Sequence, residues 1–213
     1  MKQHALSLHR GRPVSADRQH GLALFMVLVF LTILTMLALT AIRGATLGER
    51  MARNQSDRTL ATQAAEAALR DAELDLRTLR ADGSICSPGS AGCRATEDYA
   101  PWENGYAFQS GCPSGLCDGA VTQALPVKVW EPGSALWSHA VTYGTYTKSL
   151  GDDARMFPAV AKQPQYLIEK FLMQDGAEVG TSAFYFRITA RGYGGSSDTV
   201  VTLQSIYRPT PPL

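Results

Sequence analysis

Residues 22–42 read LALFMVLVFLTILTMLALTAI, and this stretch decides the architecture. It is 21 residues long and carries no charge, with Gly21 before it and Arg43 after it. As a helix it would extend roughly 30 Å, the thickness of a bilayer's hydrocarbon core. Its polar residues are Thr32, Thr35 and Thr40, whose hydroxyls can bond back to their own helix. The run is longer than the hydrophobic part of a cleaved secretory signal, and Leu39-Thr40-Ala41 puts a leucine where such a signal needs a small residue. A single membrane span is expected. Ahead of it, Lys2, Arg10, Arg12 and Arg18 stand against Asp17 alone, a local net of +3. That flank predicts a cytoplasmic N-terminus and places the body across the inner membrane of a bacterium, in the periplasm.

Working outward, residues 43–79 contain no proline, and their glycines are Gly44 and Gly48. Residues 60–80, LATQAAEAALRDAELDLRTLR, repeat apolar positions at Leu60, Ala64, Ala65, Ala68, Leu69, Ala72, Leu76 and Leu79. That is helical spacing. Glu66–Arg70 and Glu73–Arg77 add favourably ordered i,i+4 pairs. The span should therefore continue as an amphipathic helix through residue 80, a rod of roughly 88 Å at the standard rise. Gly44 and Gly48 match small-xxx-small, which permits close approach of another helix. The plainer reading is a weakened joint, since each glycine costs about 1 kcal/mol of helix propensity.

A short basic leader ending in glycine, then about 20 apolar residues, then a long amphipathic helix resembles the type IV prepilins. The pieces ERMA, DR and QAAEAAL within residues 46–73 are similar to the N-terminal region of PilX-type minor pilins. FRITARGYG and VVTLQSIYR resemble that family's terminal hairpin. The resemblance implies an α+β, pilin-like fold: a long N-terminal helix, half transmembrane and half amphipathic, packed against a small antiparallel sheet. It implies a leader, residues 1–21, cut after Gly21 by a prepilin peptidase that methylates the new amine of Leu22. Residues 22–80 would be the helix and residues 81–213 a periplasmic body. Expected partners are other minor pilins, the major pilin and a PilY-type tip adhesin, with membrane lipid before assembly. The function implied is priming of pilus assembly within a tip complex that supports twitching motility, adhesion and DNA uptake. One position departs from major pilins, which carry glutamate at the fifth mature residue. Here that residue is Met26. In pilins the carboxylate is thought to pair with a neighbour's terminal amine, so its loss points to the filament tip, as in the tip pseudopilins of type II secretion.

Composition shifts at Ala81, where Gly, Ser, Pro and Cys become frequent. Cys86 and Cys93 are seven apart, Cys112 and Cys117 five apart. In a periplasmic body these spacings favour two small disulfide loops, although four cysteines allow three connectivities. Zinc ligation lacks its usual C-x2-C spacing. Strands are expected at residues 165–174, at 182–193 with Phe184, Phe186, Ile188 and Ala190 on one face, and at 199–207 with Val201, Leu203, Ser205 and Tyr207 on one face. The last two, joined by a turn at 194–198, should form a hairpin against the helix. Residues 127–130 are a further strand candidate, and residues 134–139 a short helix or turn. Trp102, Tyr106, Phe108, Trp130 and Trp137 read as core residues.

Nothing points to catalysis or to a cofactor. The body's histidine, His139, stands without a G-x-S-x-G elbow, and there is no P-loop, dinucleotide fingerprint or H-E-x-x-H. Asp152, Asp153 and Asp198 lack EF-hand spacing and read as solvated turns. Twenty basic against 19 acidic residues, net +1, disfavours direct nucleic-acid binding. Two alternatives remain: a tip pseudopilin of type II secretion, or a membrane-anchored periplasmic enzyme or binding domain.

Overall fold

A computed structural model describes residues 20–87, 89–95, 108–148, 156–174 and 182–208. The chain divides into two units, residues 1–51 and 52–213. Helix α1, His20–Leu76, contributes to both. In the first unit every described residue is helical from His20 onward. Thr32, Thr35 and Thr40 donate their hydroxyls to the carbonyls of Val29, Thr32 and Leu37 at 2.7, 2.8 and 2.8 Å. Their polarity is thus absorbed by the helix itself.

The second unit is built on a five-stranded sheet. Its strands are β1 (Leu116–Asp118), β2 (Val141–Thr142), β3 (Gln165–Gln174), β4 (Ser182–Tyr193) and β5 (Val200–Tyr207). The order is β1-β3-β4-β5, with β2 also on β3. β3, β4 and β5 form an antiparallel meander, with Ile168 opposite Ile188 and Ala190 opposite Leu203. The sheet is mixed rather than purely antiparallel, because β1 runs parallel to β3 with Leu116 opposite Ile168.

Residues 52–76 of α1 supply the alanine stripe expected from the sequence. Ala61, Ala64, Ala65, Ala68 and Ala72 are fully buried. The main core joins Ala68, Ala72 and Leu76 to Phe108, Leu116, Val141, Tyr166, Ile168, Phe186, Ile188 and Ala190. Small side chains let the helix lie almost against the sheet. At Gly192 a Cβ would strike the carbonyl oxygen of Ala61 and the amide nitrogen of Ala65. The opposite sheet face is covered by α2 (Gly119–Ala124), the chain after it and a 3-10 turn at Ala135–His139. A second cluster of Cys112, Cys117, Val129 and Leu167 fills that side. From Tyr166 to Glu169 β3 is buried on both faces, which is why that part of QYLIEKFLMQ does not alternate in sequence.

Four expectations need correction. α1 ends at Leu76, four residues before Arg80. Thr78 takes a left-handed φ of 54°, with Leu79 N–H bonded to Leu74 O at 2.9 Å and Thr78 N–H to Asp75 O at 3.0 Å. That is a Schellman stop formed without its usual glycine. Residues 127–130 form no strand; Lys128 Nζ instead donates to Gln123 O and Leu125 O at 2.6 and 2.8 Å and folds the segment back on α2. Phe184 shares the inward parity of Phe186 but lies toward the open end of β4 and is 37% exposed. Trp130 is equally exposed and is no core residue.

Candidate functional site

Among the described residues, the largest uncovered apolar surface is the helix from Leu22 to Ile42. Leu22 is 65% and Met26 63% exposed, and the leucines, phenylalanines and isoleucines between Phe25 and Ile42 are likewise bare. None of the most apolar window of this helix is buried in the chain. So much exposed hydrocarbon in water would cost tens of kcal/mol at about 25 cal/mol per Å2, so this surface needs lipid or other helices around it. Gly21 lies in the first turns of α1, and residues 1–19 are outside the described residues. Gly44 and Gly48 lie in unbroken helix, and a Cβ at either would meet nothing within 4 Å among the described residues. The faces of both glycines are uncovered among the described residues.

In the body, α1 holds the loops with charges set inside its apolar stripe. Asp75 receives Arg94 Nε and Nη2 at 2.7 Å each and the Tyr166 hydroxyl at 2.8 Å. Arg94 also reaches Ser114 O at 3.1 Å and lies 4.3 Å from the centroid of the Tyr146 ring. Burial alone would pull the Arg94 guanidinium down, but Asp75 outweighs it and the net shift is upward. Burial, then Asp75 and Asp71, push the Tyr166 hydroxyl well above its ordinary range, so it stays a donor. One turn earlier, Asp71 accepts Gly144 N–H at 2.7 Å and the Thr147 hydroxyl. Arg80 donates to Lys148 O, Ala91 O and Ser90 Oγ at 2.5, 3.2 and 3.0 Å. Near the other end, Asp57 accepts Gly195 N–H at 2.5 Å and Ser196 N–H at 3.4 Å and pins the β4–β5 turn. A hydrogen bond from the Thr199 side chain, opposed by desolvation and helped by those two amides, holds the Asp57 carboxyl below its usual value.

Two disulfides lock the loops these charges hold. Cys86 is bonded to Cys93, Cα–Cα 5.7 Å, beside the Arg80 contacts. Cys112 is bonded to Cys117, Cα–Cα 4.1 Å, and both are fully buried in the second cluster. On that face Glu169 is fully buried, yet Arg187 meets it with two bonds of 2.7 Å and the Thr122 hydroxyl with one of 2.5 Å. Trp130 covers Arg187 and Trp137 covers Arg191, at 4.8 and 4.0 Å from guanidinium carbon to ring centroid. Trp137 also donates Nε1–H to Val129 O at 2.7 Å. These two tryptophans therefore close the layer over buried charge.

A cleft of about 210 Å3 opens between Phe108, Phe171, Leu172 and Phe184, with Lys170 and Asp118 on its wall. Desolvation lowers Lys170, opposed by Asp118. His139 lies in the 3-10 turn beside Ser114, Thr142 and Tyr146. Asp198 lies in the β4–β5 turn, where its backbone N–H donates to Ser196 Oγ at 3.3 Å. Among the described residues no three His, Cys, Asp or Glu side chains gather as metal ligands. Trp102, Tyr106, Asp152 and Asp153 lie outside the described residues.

The buried acids were not foreseen, although the signal was present. Asp71 and Asp75 fall at helical spacing between Ala68, Ala72 and Leu76, inside the apolar stripe. A carboxylate at such a position must be paired or pay a heavy desolvation penalty.

A bare apolar helix leading into an alanine-striped half that lies on a small disulfide-locked sheet is a pilin-like arrangement. Neither the curated proteins nor the solved structures offer a match to the chain. The family profile described as PilX N-terminal matches residues 20–70, and that described as type IV pilus assembly protein PilX C-term matches residues 82–209. Between them they cover the apolar helix, the clasped loops and the hairpin, so the chain belongs to the PilX family of type IV pilus assembly proteins.

Proposed function

We propose that this membrane-anchored pilin primes type IV pilus assembly from the filament tip. In this reading a prepilin peptidase removes residues 1–21 by cutting after Gly21, and the amine of Leu22 is methylated. The span then holds the subunit in the inner membrane, with residues 81–213 in the periplasm. On assembly the span moves from lipid into the filament core. Both surroundings are apolar, so the transfer changes the hydrophobic term little, and an assembly motor must supply the work.

The observation that carries the tip placement is the helix from Leu22 to Gly48. It contains no Asp or Glu, and its fifth residue, Met26, is an exposed thioether. A charged amine in an apolar core needs a counter-charge. A subunit that offers none cannot receive a neighbour's amine, which suits the one place in a fibre where no neighbour follows. From there it would join other minor pilins, the major pilin and a PilY-type adhesin, and so support twitching motility and adhesion. The role is structural, without catalysis or a cofactor.

The test is location. Labelled electron microscopy should find the chain at fibre ends, and its deletion should lower fibre number. Uniform labelling along the shaft, or unchanged fibre number, overturns the reading. Met26→Glu should let the subunit enter the shaft. Gly21→Val should block processing, because a side chain there obstructs the cleavage site.

A further inference from the structure

The Cys86–Cys93 loop is built around a cation that no carboxylate touches. Arg80 is 3% exposed, and among the described residues its bonded acceptors are all neutral: Lys148 O, Ala91 O and Ser90 Oγ. Asp82 attracts it only through space, with Oδ1 taken by the amide and hydroxyl of Ser84. A buried charge without a contacting counter-charge is costly. Beside a guanidinium, a cysteine is favoured as its thiolate. Ser90 Oγ accepts Arg80 Nη2 at 3.0 Å and lies 3.1 Å from Cys93 Sγ. Nη2 is therefore within about 6 Å of that sulfur, a range over which opposite charge favours ionisation. In the disulfide the Ser90 hydroxyl donates to Ser87 O at 2.7 Å. A thiolate is a stronger acceptor than a carbonyl, so reduction gives that proton a better partner.

The two sulfurs of the loop are unlike. Cys86 is 2% exposed, and its Sγ lies 3.5 Å from Tyr146 O and 3.8 Å from Gly92 O. Those are the negative ends of two carbonyl dipoles, which favour a thiol over a thiolate. Cys93 is half-buried and reachable. The loop also has anchors besides its bond. Arg80 grips Ala91 O and Lys148 O, Cys86 N–H donates to Thr78 O at 2.8 Å, and Gly89 N–H donates to Arg94 O at 2.9 Å. The remaining charges nearby are Arg94, neutralised by Asp75, and Lys148, whose side chain lies against Gly92.

We propose that Cys93 is the sulfur through which this disulfide is made and exchanged, with its thiolate held by Arg80 through Ser90. In oxidation the Cys93 thiolate attacks one sulfur of a disulfide oxidant. A mixed disulfide forms as the oxidant's S–S bond breaks, and the oxidant's other sulfur leaves as a thiolate. Cys86 then gives its proton to water and attacks Cys93 Sγ. The 86–93 bond forms and the oxidant's first sulfur leaves as a thiolate. The two cysteines lose two electrons and the oxidant gains them. Nothing in this chemistry depends on where the subunit sits in a fibre.

Iodoacetamide alkylation of the full-length Cys86→Ala chain in detergent tests it, with Cys112 and Cys117 kept bonded. The rate at Cys93 against pH should have its midpoint at least about one unit below the 8.5 of a free cysteine. Adding Ser90→Ala should move that midpoint back toward 8.5, which a purely structural loop residue would not do. A second arm uses the unsubstituted chain, briefly reduced, trapped with oxidised glutathione and mapped by mass spectrometry. Cys93 should carry at least about ten times the glutathione of Cys86, and Ser90→Ala should reduce that ratio. If Cys86→Ala does not fold, the mapping with and without Ser90 decides alone. A midpoint short of the expected shift in a folded chain overturns the assignment. So does a midpoint or a ratio that Ser90→Ala leaves unmoved, or glutathione found equally on both sulfurs or mainly on Cys86.

Discussion

Replacing Arg94 by methionine isolates what the buried charge cluster contributes. The guanidinium is 6% exposed and makes both of its 2.7 Å bonds to Asp75, itself 7% exposed. Without it Asp75 keeps the Tyr166 hydroxyl at 2.8 Å. Breaking a buried pair by deleting one partner costs about 3–5 kcal/mol. The surviving hydrogen bond to a charged acceptor recovers on the order of 1 kcal/mol. A net loss of about 2–4 kcal/mol is predicted, a fall in Tm of about 5–15 °C for a unit of this size. Thermal unfolding of the full chain in detergent, followed by near-ultraviolet circular dichroism, reads it. The pairing claim is sharper than the magnitude. Asp75→Leu alone should also destabilise, and the double variant should lose at least about 1.5 kcal/mol less than the sum of the singles. Additive losses, or an Arg94→Met shift under about 2 °C, would refute the reasoning, because the charges would then be paired with water.

The close approach of helix and sheet predicts that Gly192→Ala costs about 2–3 kcal/mol by urea denaturation. Its Cβ meets helix backbone, including Ala65 Cα at 2.9 Å, which cannot rotate aside; a loss under about 0.5 kcal/mol would contradict that packing. The Asp57 clasp predicts a pH dependence. Its folded pKa lies below the ordinary aspartate value of 3.8, so its contribution is present above that pH and is lost as pH falls through the folded value. Protection of the Gly195 amide should fall in that acid range and be lost at neutral pH in Asp57→Ala; pH-independent protection of that amide would count against the clasp. Removing Cys112 and Cys117 together as alanines should cost about 2–3 kcal/mol, and more than removing Cys86 and Cys93. The 86–93 loop keeps Arg80 and its neighbour Arg94 as anchors. Equal losses, measured by urea denaturation, would show that those anchors do nothing for the loop.

The helix was legible because an uncharged run of 21 residues is long enough to cross a bilayer and the alanine stripe after it has helical spacing. The hairpin was legible because β4 alternates, one face on α1 and the other partly wet. β3 was found in spite of double burial, since its bounding residues and length still mark a strand. The missed parts lack local signals. β1 is three residues long and is held parallel to β3 by tertiary contact. The stop after Leu76 uses a threonine where glycine would have announced it. Arg80 looks like one more helical residue until its three loop acceptors are seen. Trp130 reads as core by residue type but caps Arg187 at the surface of the layer, whereas Trp137 packs on the second cluster and also stacks on Arg191. Most informative were Asp71 and Asp75, whose place within an apolar stripe carried a message that propensity alone discounts.

The most direct test of the account is mass spectrometry of this chain's N-terminus, isolated from membranes and from sheared fibres. The account predicts a mature chain beginning at Leu22 with one methyl group on its amine. An intact chain beginning at Met1 in both fractions would contradict it, leaving residues 22–42 as a membrane anchor alone.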